Sequence, residues 1–359
     1  KKFLSLVLAL VMTMSLVTVS AGAKDFTDNS KITYEEAVAV VSEIGVVDGY
    51  TDGAFNPQNT LTRGAAAKII CNLLLTPAVA DTLPANNTGF KDVPSTNTFA
   101  KYIAYCGNAK IINGYSDGTF RPAATLTGFA FMKMLLGALG YDAQIEGFTG
   151  ETFAVKVAAK VGEVGLAEGN ATFVGTKAVT REEAALYAFN MLNSKMVTYA
   201  SKGTEITVNG VTIIQGASPA TEGKNTFAEV KFSNLKHTNR EDAFGRKLSI
   251  WTYGKKSVTV LANDATMTYY GGMDGKTLFN DLGLSSTDTY EVNGTDTKGS
   301  AIKANEGWGG LNTVVEVYYT EKDEGNDQIK IVVVQYYVGT VDKVTKAKGD
   351  DPRTITVAG

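Results

Sequence analysis

Asp48-Gly49-Tyr50-Thr51-Asp52-Gly53-Ala54-Phe55-Asn56-Pro57 recurs 65 residues downstream as Asn113-Gly114-Tyr115-Ser116-Asp117-Gly118-Thr119-Phe120-Arg121-Pro122. A fixed period of this length marks stacked supersecondary units. Flanking residues keep the spacing: Leu61-Thr62 answers Leu126-Thr127, and Phe26-x-Asp28 nearly answers Phe90-x-Asp92. A third, degenerate copy runs through Glu163-Val164-Gly165-Leu166-Ala167-Glu168-Gly169, which echoes Glu43-Ile44-Gly45-Val46-Val47-Asp48-Gly49. It continues to Thr180-Arg181-Glu182-Glu183, the counterpart of Thr62-Arg63-Gly64-Ala65.

Working outward, each copy reads as helix, loop, helix. Tyr34, Ala37, Val38, Val41 and Ile44 share one helical face, and Ala66, Ile69, Ile70, Leu73 and Leu74 share the next. The second copy presents Phe99, Tyr102, Ile103 and Cys106, then Phe129, Met132, Leu135, Leu136 and Leu139. The third presents Phe153, Val157, Val161 and Val164, then Ala184, Tyr187, Ala188, Met191 and Leu192. One helical hairpin cannot cover its own apolar stripe, so three copies are expected to pack together.

The loop between the helices has readable chemistry. Asp-Gly supplies a turn with positive φ at the glycine, which lets Phe55 or Phe120 turn back into the core. Pro57 and Pro122 prevent helix from continuing. Thr62, Thr127 and Thr180 stand where N-caps belong, and only Thr180 has a capping-box partner, Glu183.

At these residues the chain resembles the S-layer homology (SLH) domain family. The family pattern is Phe-x-Asp, a helix, Gly-Tyr-x-Asp-Gly-x-Phe-x-Pro, then Ile/Leu-Thr-Arg-x-Glu opening a second helix. The resemblance covers residues 26–197 and implies a trefoil-like helical spindle that binds pyruvylated secondary cell-wall polysaccharide in grooves between copies. It assigns recognition of the acidic sugar to the Thr-Arg arginine, here Arg63 and Arg181. An arginine in the first turn of a helix adds a bidentate guanidinium to free N–H groups and a positive dipole end, which suits a carboxylate. The candidate glycan-binding set is Arg63, Arg181, Thr62, Thr180, Tyr50, Asp52, Tyr115 and Asp117, the Tyr and Asp residues being favoured as turn formers.

The chain departs from the pattern in places. Gly128 stands where the second copy should carry arginine, and Ala65 replaces the acidic residue of the first. The usual first-helix Trp is absent, with Phe99 as a substitute in the second copy. The third copy has Glu168-Gly169-Asn170-Ala171-Thr172-Phe173 in place of its loop. One or two working grooves are therefore expected rather than three.

Ahead of the repeats, Lys1 and Lys2, an apolar run from Phe3 to Val19, and Ala21-Gly22-Ala23 read as a signal peptide, with a mature start near Lys24. The apolar run is short and broken by Ser and Thr, so no membrane span is expected in the mature chain. Cys71 and Cys106 both lie on apolar helical faces and read as buried thiols, with a bridge between neighbouring helices as the alternative. Such low cysteine use fits a Gram-positive-type surface. With 359 residues, 44% hydrophobic, the chain can bury a core and hold two to three domains. A net charge of −3 argues against a nucleic-acid partner, and a single histidine, His237, excludes mechanisms that need two.

Beyond residue 203 the helical period gives way to strands. Glu205 to Ile214 reads as a hairpin about Asn209-Gly210. Lys247 to Tyr253, Ser257 to Ala262 and Thr266 to Tyr270 follow as strands, Lys276 to Leu284 as a short helix, and Thr313 to Thr320 and Gln328 to Val338 as long strands. His237 is expected in a solvated polar loop. Glu321, Asp323, Glu324, Asn326 and Asp327 form a weak Ca²⁺ candidate whose spacing does not fit an EF-hand, so a solvated turn is the simpler reading. The pairs Tyr269-Tyr270, Tyr318-Tyr319 and Tyr336-Tyr337 fit alternation on a two-faced sheet better than sugar stacking.

The expected fold class is α+β multidomain: an N-terminal all-α three-repeat helical bundle followed by a β-rich, sandwich-like module. The boundaries are 1–23 for the signal peptide; 24–84, 85–143 and 144–200 for the repeats; 203–340 for the β-rich module; and 341–359 for the start of a further strand, with more chain expected past Gly359. The expected function is anchoring of an exported surface-layer-type protein to the wall, with the polysaccharide and further copies of itself as partners and no catalysis or cofactor. The rivals are an anchored polysaccharide-degrading enzyme, which needs a carboxylate pair about 5–10 Å apart, and an adhesin.

Overall fold

A computed structural model describes residues 24–84, 88–208, 211–320, 328–336, 340–345 and 354–358. The signal peptide, the Asn209-Gly210 turn and the acidic turn 321–327 lie outside the described residues. The chain divides into two units, one running up to Thr238 and including Ile250–Val260, the other formed by Asn239–Ser249 and Leu261–Gly359.

The first unit begins with three helix–loop–helix segments. Helix α1 (Glu35–Glu43) buries Ala37, Val38 and Val41. Helix α2 (Arg63–Leu75) starts at Thr62, whose Oγ accepts from Ala65 N at 3.2 Å, and a short α3 (Pro77–Ala80) follows. Helices α4 (Ala100–Asn108) and α5 (Gly128–Leu139) belong to the second, with Thr127 capping α5. Helices α6 (Phe153–Val164) and α7 (Arg181–Asn193) belong to the third, and Thr180 with Glu183 completes a capping box. Across the segments α1 packs on α7, α2 on α4 and α5 on α6. Gly53 and Gly118 have φ of +83° and +81°, as the Asp-Gly turns require, and Phe55 and Phe120 are fully buried behind them.

Three short extended stretches tie these segments into a closed ring. Leu61 N donates to Val179 O, Val179 N to Leu126 O, and Leu126 N to Leu61 O, at 2.9–3.0 Å. Each links one second-helix start to the next, so the segment nearest the N-terminus pairs directly with the last. The apolar faces predicted from periodicity meet in one core inside this ring, with Phe131, Leu135, Tyr187 and Met191 fully buried. Cys71 and Cys106 are free, buried thiols with Sγ atoms 3.5 Å apart. The hydrogen bond from Cys71 and burial push the Cys106 thiol well above its ordinary value.

The chain leaves α7 into β1 (Lys195–Tyr199), the hairpin β2 (Lys202–Val208) and β3 (Val211–Ala217), and β4 (Ala220–Thr226), which returns antiparallel to β1. A five-residue helix α8 (Phe227–Lys231) drops Phe227 into the helical core. Strands β5 (Leu235–Glu241), β6 (Lys247–Tyr253) and β7 (Lys256–Leu261) follow in a three-stranded sheet in that order. Within the first unit, Trp251 packs on Phe189 and donates its Nε1–H to Glu36 at 2.6 Å. His237 is not in a loop. It lies on β5, its ring stacked on Trp251 with centroids 4.3 Å apart.

In the second unit, β8 (Met267–Gly272), α9 (Gly275–Asp281), β9 (Thr289–Val292), β10 (Thr295–Lys298), α10 (Gly299–Lys303), β11 (Gly309–Thr320) and β12 (Gln328–Gln335) build one five-stranded sheet in the order β10-β9-β12-β11-β8. Strands β13 (Thr340–Thr345) and β14 (Thr354–Ala358) make a separate antiparallel hairpin. The expected sandwich is thus replaced, among the described residues, by one sheet with two helices. Val315, Val317, Ile331 and Val333 pack on Leu278 and Ile302 of the helices, while Val332, Val334 and Tyr318 on the opposite face meet Phe244. Two of the tyrosine pairs follow this alternation, Tyr318 being buried and Tyr319 exposed, Tyr269 half-buried and Tyr270 exposed, while Tyr337 of the third pair lies outside the described residues.

Candidate functional site

The sequence-predicted arginines are placed by the ring. Arg63, first residue of α2, reaches the loop of the next copy, donating Nε to Phe120 O at 2.8 Å and Nη2 to Asn113 O at 3.0 Å. Arg181, first residue of α7, makes the same contacts with the first loop, Nε to Phe55 O at 2.9 Å and Nη2 to Asp48 O at 2.7 Å. Each guanidinium lies over a loop tyrosine, Arg63 5.0 Å from the Tyr115 centroid and Arg181 4.7 Å from that of Tyr50. Among the described residues neither arginine forms an ion pair, so its charge is held by neutral carbonyls and aromatic faces. Burial pushes both guanidinium pKa values down from their ordinary range and outweighs the opposing pull of the nearby tyrosines and aspartates.

A cavity opens beside each. The one at Arg63 has a volume of about 390 Å³ and is walled by Ile111, Ile112, Leu126, Met134, Phe148 and Phe153, with Lys133 and Asn113 as further polar residues. Lys133 is half-buried, its ammonium 5.6 Å from the Phe153 centroid, and burial lowers its pKa. The cavity at Arg181 has the same volume of about 390 Å³, with Val46, Val47, Leu61, Ile69 and Phe99 as walls and Lys68, Asp48, Tyr50 and Thr62 as polar residues. Here Asp48 pairs with Lys68 at 3.3 Å and with Lys24 at 3.2 Å. Such a site offers an anion one or two cations in a partly dry, apolar cup.

At the third equivalent position the chemistry is different. Gly128 replaces the arginine, and a Cβ built there would stand 3.0 Å from the Phe173 ring and 3.1 Å from Gly175 Cα. Leu186 occupies the position of Lys68 and Lys133, and Glu183 that of Ala65 and Ala130.

The sequence pattern of the two complete loops identifies their type. Residues 25–67 and 89–132 match the S-layer homology domain. The chain is 26% identical over 213 residues to a "Surface layer protein" of Brevibacillus choshinensis, a match covering 58% of this chain and 18% of that protein. It is 24% identical over 210 residues to the "Middle cell wall protein" of Brevibacillus brevis, covering 57% of this chain and 19% of that one. A "Cellulosome-anchoring protein" of Acetivibrio thermocellus is 34% identical over 85 residues, 23% of this chain and 18% of that protein. The matches thus span less than a fifth of these relatives. The first two names are those of a surface-layer and a cell-wall protein, and the third is that of an anchoring protein. The S-layer homology repeats matched are two, and residues 144–197 fall outside them.

Other predicted site residues serve the frame. Asp52 accepts from Ala54 N at 3.0 Å, and Asp117 from Thr119 N at 2.9 Å and from Arg121 Nη2 at 2.7 Å, so both close their own turns. The Thr62 and Thr180 hydroxyls are committed to helix capping. Sequence reasoning missed the lysines, although Lys68 and Lys133 stand at the repeat offset. It noted Asp28 and Asp92 only as markers. Each in fact latches a loop, Asp28 accepting from Phe55 N and Asn56 N and Asp92 from Phe120 N and Arg121 N, at 2.7–2.8 Å. Those bonds hold Asn56 and Arg121 at φ of +53° and +59°, an unusual conformation for such side chains.

No group of three metal-ligating side chains occurs among the described residues, and the acidic turn considered for Ca²⁺ is not among them. No described helix is long and apolar enough to cross a membrane. In the second unit Asp242 and Glu316 both converge on Arg246, at 2.7 and 3.4 Å, as a structural ion-pair cluster.

Proposed function

We propose that residues 24–200 form a three-repeat S-layer homology bundle that anchors an exported surface-layer-type protein to the cell wall by non-covalent binding of an acidic, pyruvylated polysaccharide. The observation that carries this reading is the cavity at Arg63, where two cations face apolar walls and, among the described residues, no carboxylate lines the cup. A pyruvate ketal joins a carboxylate to a methyl group. Its carboxylate would accept from the Arg63 nitrogen not engaged by carbonyls and from Lys133, and its methyl would lie against Met134 and Phe153. The carbonyl bonds fix the guanidinium beforehand, so little side-chain entropy is lost on binding. The ring that joins the three helix starts, and the names of the relatives, support the same reading. Location at the wall follows from it, and self-association through the β-rich part is proposed beside it. It calls for no cofactor or bond-breaking step.

The test is sedimentation with purified walls before and after mild acid removal of pyruvate. Arg63→Ala with Arg181→Ala, checked by circular dichroism for an intact helical fold, is expected to abolish co-sedimentation. Pyruvate removal should do the same to the unaltered protein. Undiminished pelleting of the folded double variant would refute the groove assignment.

A further inference from the structure

The Arg63 cavity does not stand alone. Ile111, Asn113 and Thr149 also line a second depression of about 640 Å³, so the two spaces are neighbours that share three wall residues. The chemistry changes across those residues. The first space holds Arg63 and Lys133 without a carboxylate, whereas the second carries Lys110 and Lys202 against Asp142 and Glu205, a balanced set. One of these pairs is internal, Lys202 Nζ lying 3.3 Å from Asp142 Oδ2. Among the described residues the side chains of Lys110 and Glu205 have no hydrogen-bond or ion-pair partner, which leaves one donor and one acceptor facing the depression.

The outer wall comes from outside the matched S-layer homology segments. Lys202, Gly203, Glu205 and Ile214 belong to the β2–β3 hairpin. This part of the chain is anchored rather than loose: Tyr199 OH accepts from Asp142 N at 3.1 Å and donates to Glu146 at 2.7 Å. A Cβ on Gly140 would come within 2.4 Å of Val197 O, so only glycine allows β1 to approach α5 this closely. The depression is therefore built by contacts that exist before any ligand arrives.

Resting on the anchoring reading above, we infer that this depression is a second subsite, which takes an uncharged, hydroxyl-rich sugar residue next to the acidic one in the same polymer. A net-neutral wall with both donor and acceptor suits hydroxyl groups, and it gives no reason to attract a second carboxylate. The two spaces then read the polymer with a direction: the charged residue in the cationic cup, its neutral neighbour across Asn113 and Thr149, against the hairpin. The hairpin thereby adds a length and sequence preference that the helical repeats alone lack.

The probes are a methyl glycoside carrying one pyruvate ketal and a tetrasaccharide fragment of purified pyruvylated wall polysaccharide, titrated calorimetrically into the full chain. The tetrasaccharide is expected to bind about tenfold more tightly, the worth of one or two added hydrogen bonds to charged groups. Lys110→Ala with Glu205→Ala should reduce that advantage to about threefold or less and leave affinity for the monosaccharide unchanged. Equal affinity for the two probes, or an undiminished advantage in the double variant, overturns the subsite while the cup at Arg63 stands. Failure of both probes to bind removes the anchoring reading and the subsite together.

Discussion

The cavities at Arg63 and Arg181 have equal volume and walls that correspond at the 65-residue offset, yet differ in charge. Val46, Val47, Leu61, Ala65, Lys68 and Ile69 of one correspond to Ile111, Ile112, Leu126, Ala130, Lys133 and Met134 of the other. The exception that matters is Asp48 against Asn113. Asp48 draws Lys68 into an ion pair, while Asn113 leaves Lys133 to face Phe153 alone. One residue in an otherwise conserved-by-repeat cup therefore decides whether the second cation is offered to a ligand or used internally. The third position completes the series, with neither arginine nor lysine and with a glutamate added.

Substitutions can break or sharpen this contrast. The largest effect is expected from Lys133→Ala, which should weaken binding of a pyruvylated monosaccharide by about tenfold, as for loss of a charge-assisted hydrogen bond. Lys68→Ala should cost less than about threefold, because Asp48 already neutralises that lysine. Calorimetry on both variants checks the difference, and equal losses would mean that the aspartate is irrelevant. Next, Asp48→Asn should release Lys68 and raise wall binding about fivefold, measured by co-sedimentation at low salt. A gain that survives at high ionic strength would point to packing instead of charge.

A smaller effect concerns the frame. Burial raises the Asp92 pKa, but the N–H groups of Phe120 and Arg121 outweigh it and hold the carboxyl below its ordinary value. The sign follows directly: the stabilisation is present above the unfolded-state pKa of about 3.9 and fades as pH falls through the lower folded value. Asp92→Ala should lower stability by about 1 kcal/mol at neutral pH, and the gap in melting temperature should narrow below pH 4. The smallest effect is expected from Gly128→Arg. Phe173 and Gly175 crowd the new Cβ, and Leu186 and Glu183 supply no second cation, so wall binding should stay within about twofold of the unaltered chain.

The helical half was legible because its signals are local. A glycine at positive φ, a proline after it and a threonine cap act within a few residues, and their repetition removed chance matches. The partners of the arginines were not legible. Arg63 meets carbonyls 50 and 57 residues away and Arg181 meets carbonyls 126 and 133 away, distances set by ring closure and absent from any local pattern. The β-rich half hid its edges for a different reason. Strands such as β4 and β5 are exposed along most of their length, so they lack the apolar alternation by which β6 and β7 were found. Trp251 found its acceptor, Glu36, 215 residues away.

Because Arg181 clasps the loop at Asp48, the earliest cup is finished by nearly the latest helix. During synthesis it stays unfinished until the polypeptide has grown past residue 181, whereas the cup at Arg63 has its arginine, loop and walls in the chain by residue 153. A ribosome-stalled series of increasing length should nonetheless gain capture only once residues 179–193 have emerged to close the ring and the core. Clipping the last helix would open the shared core and unfasten both pockets.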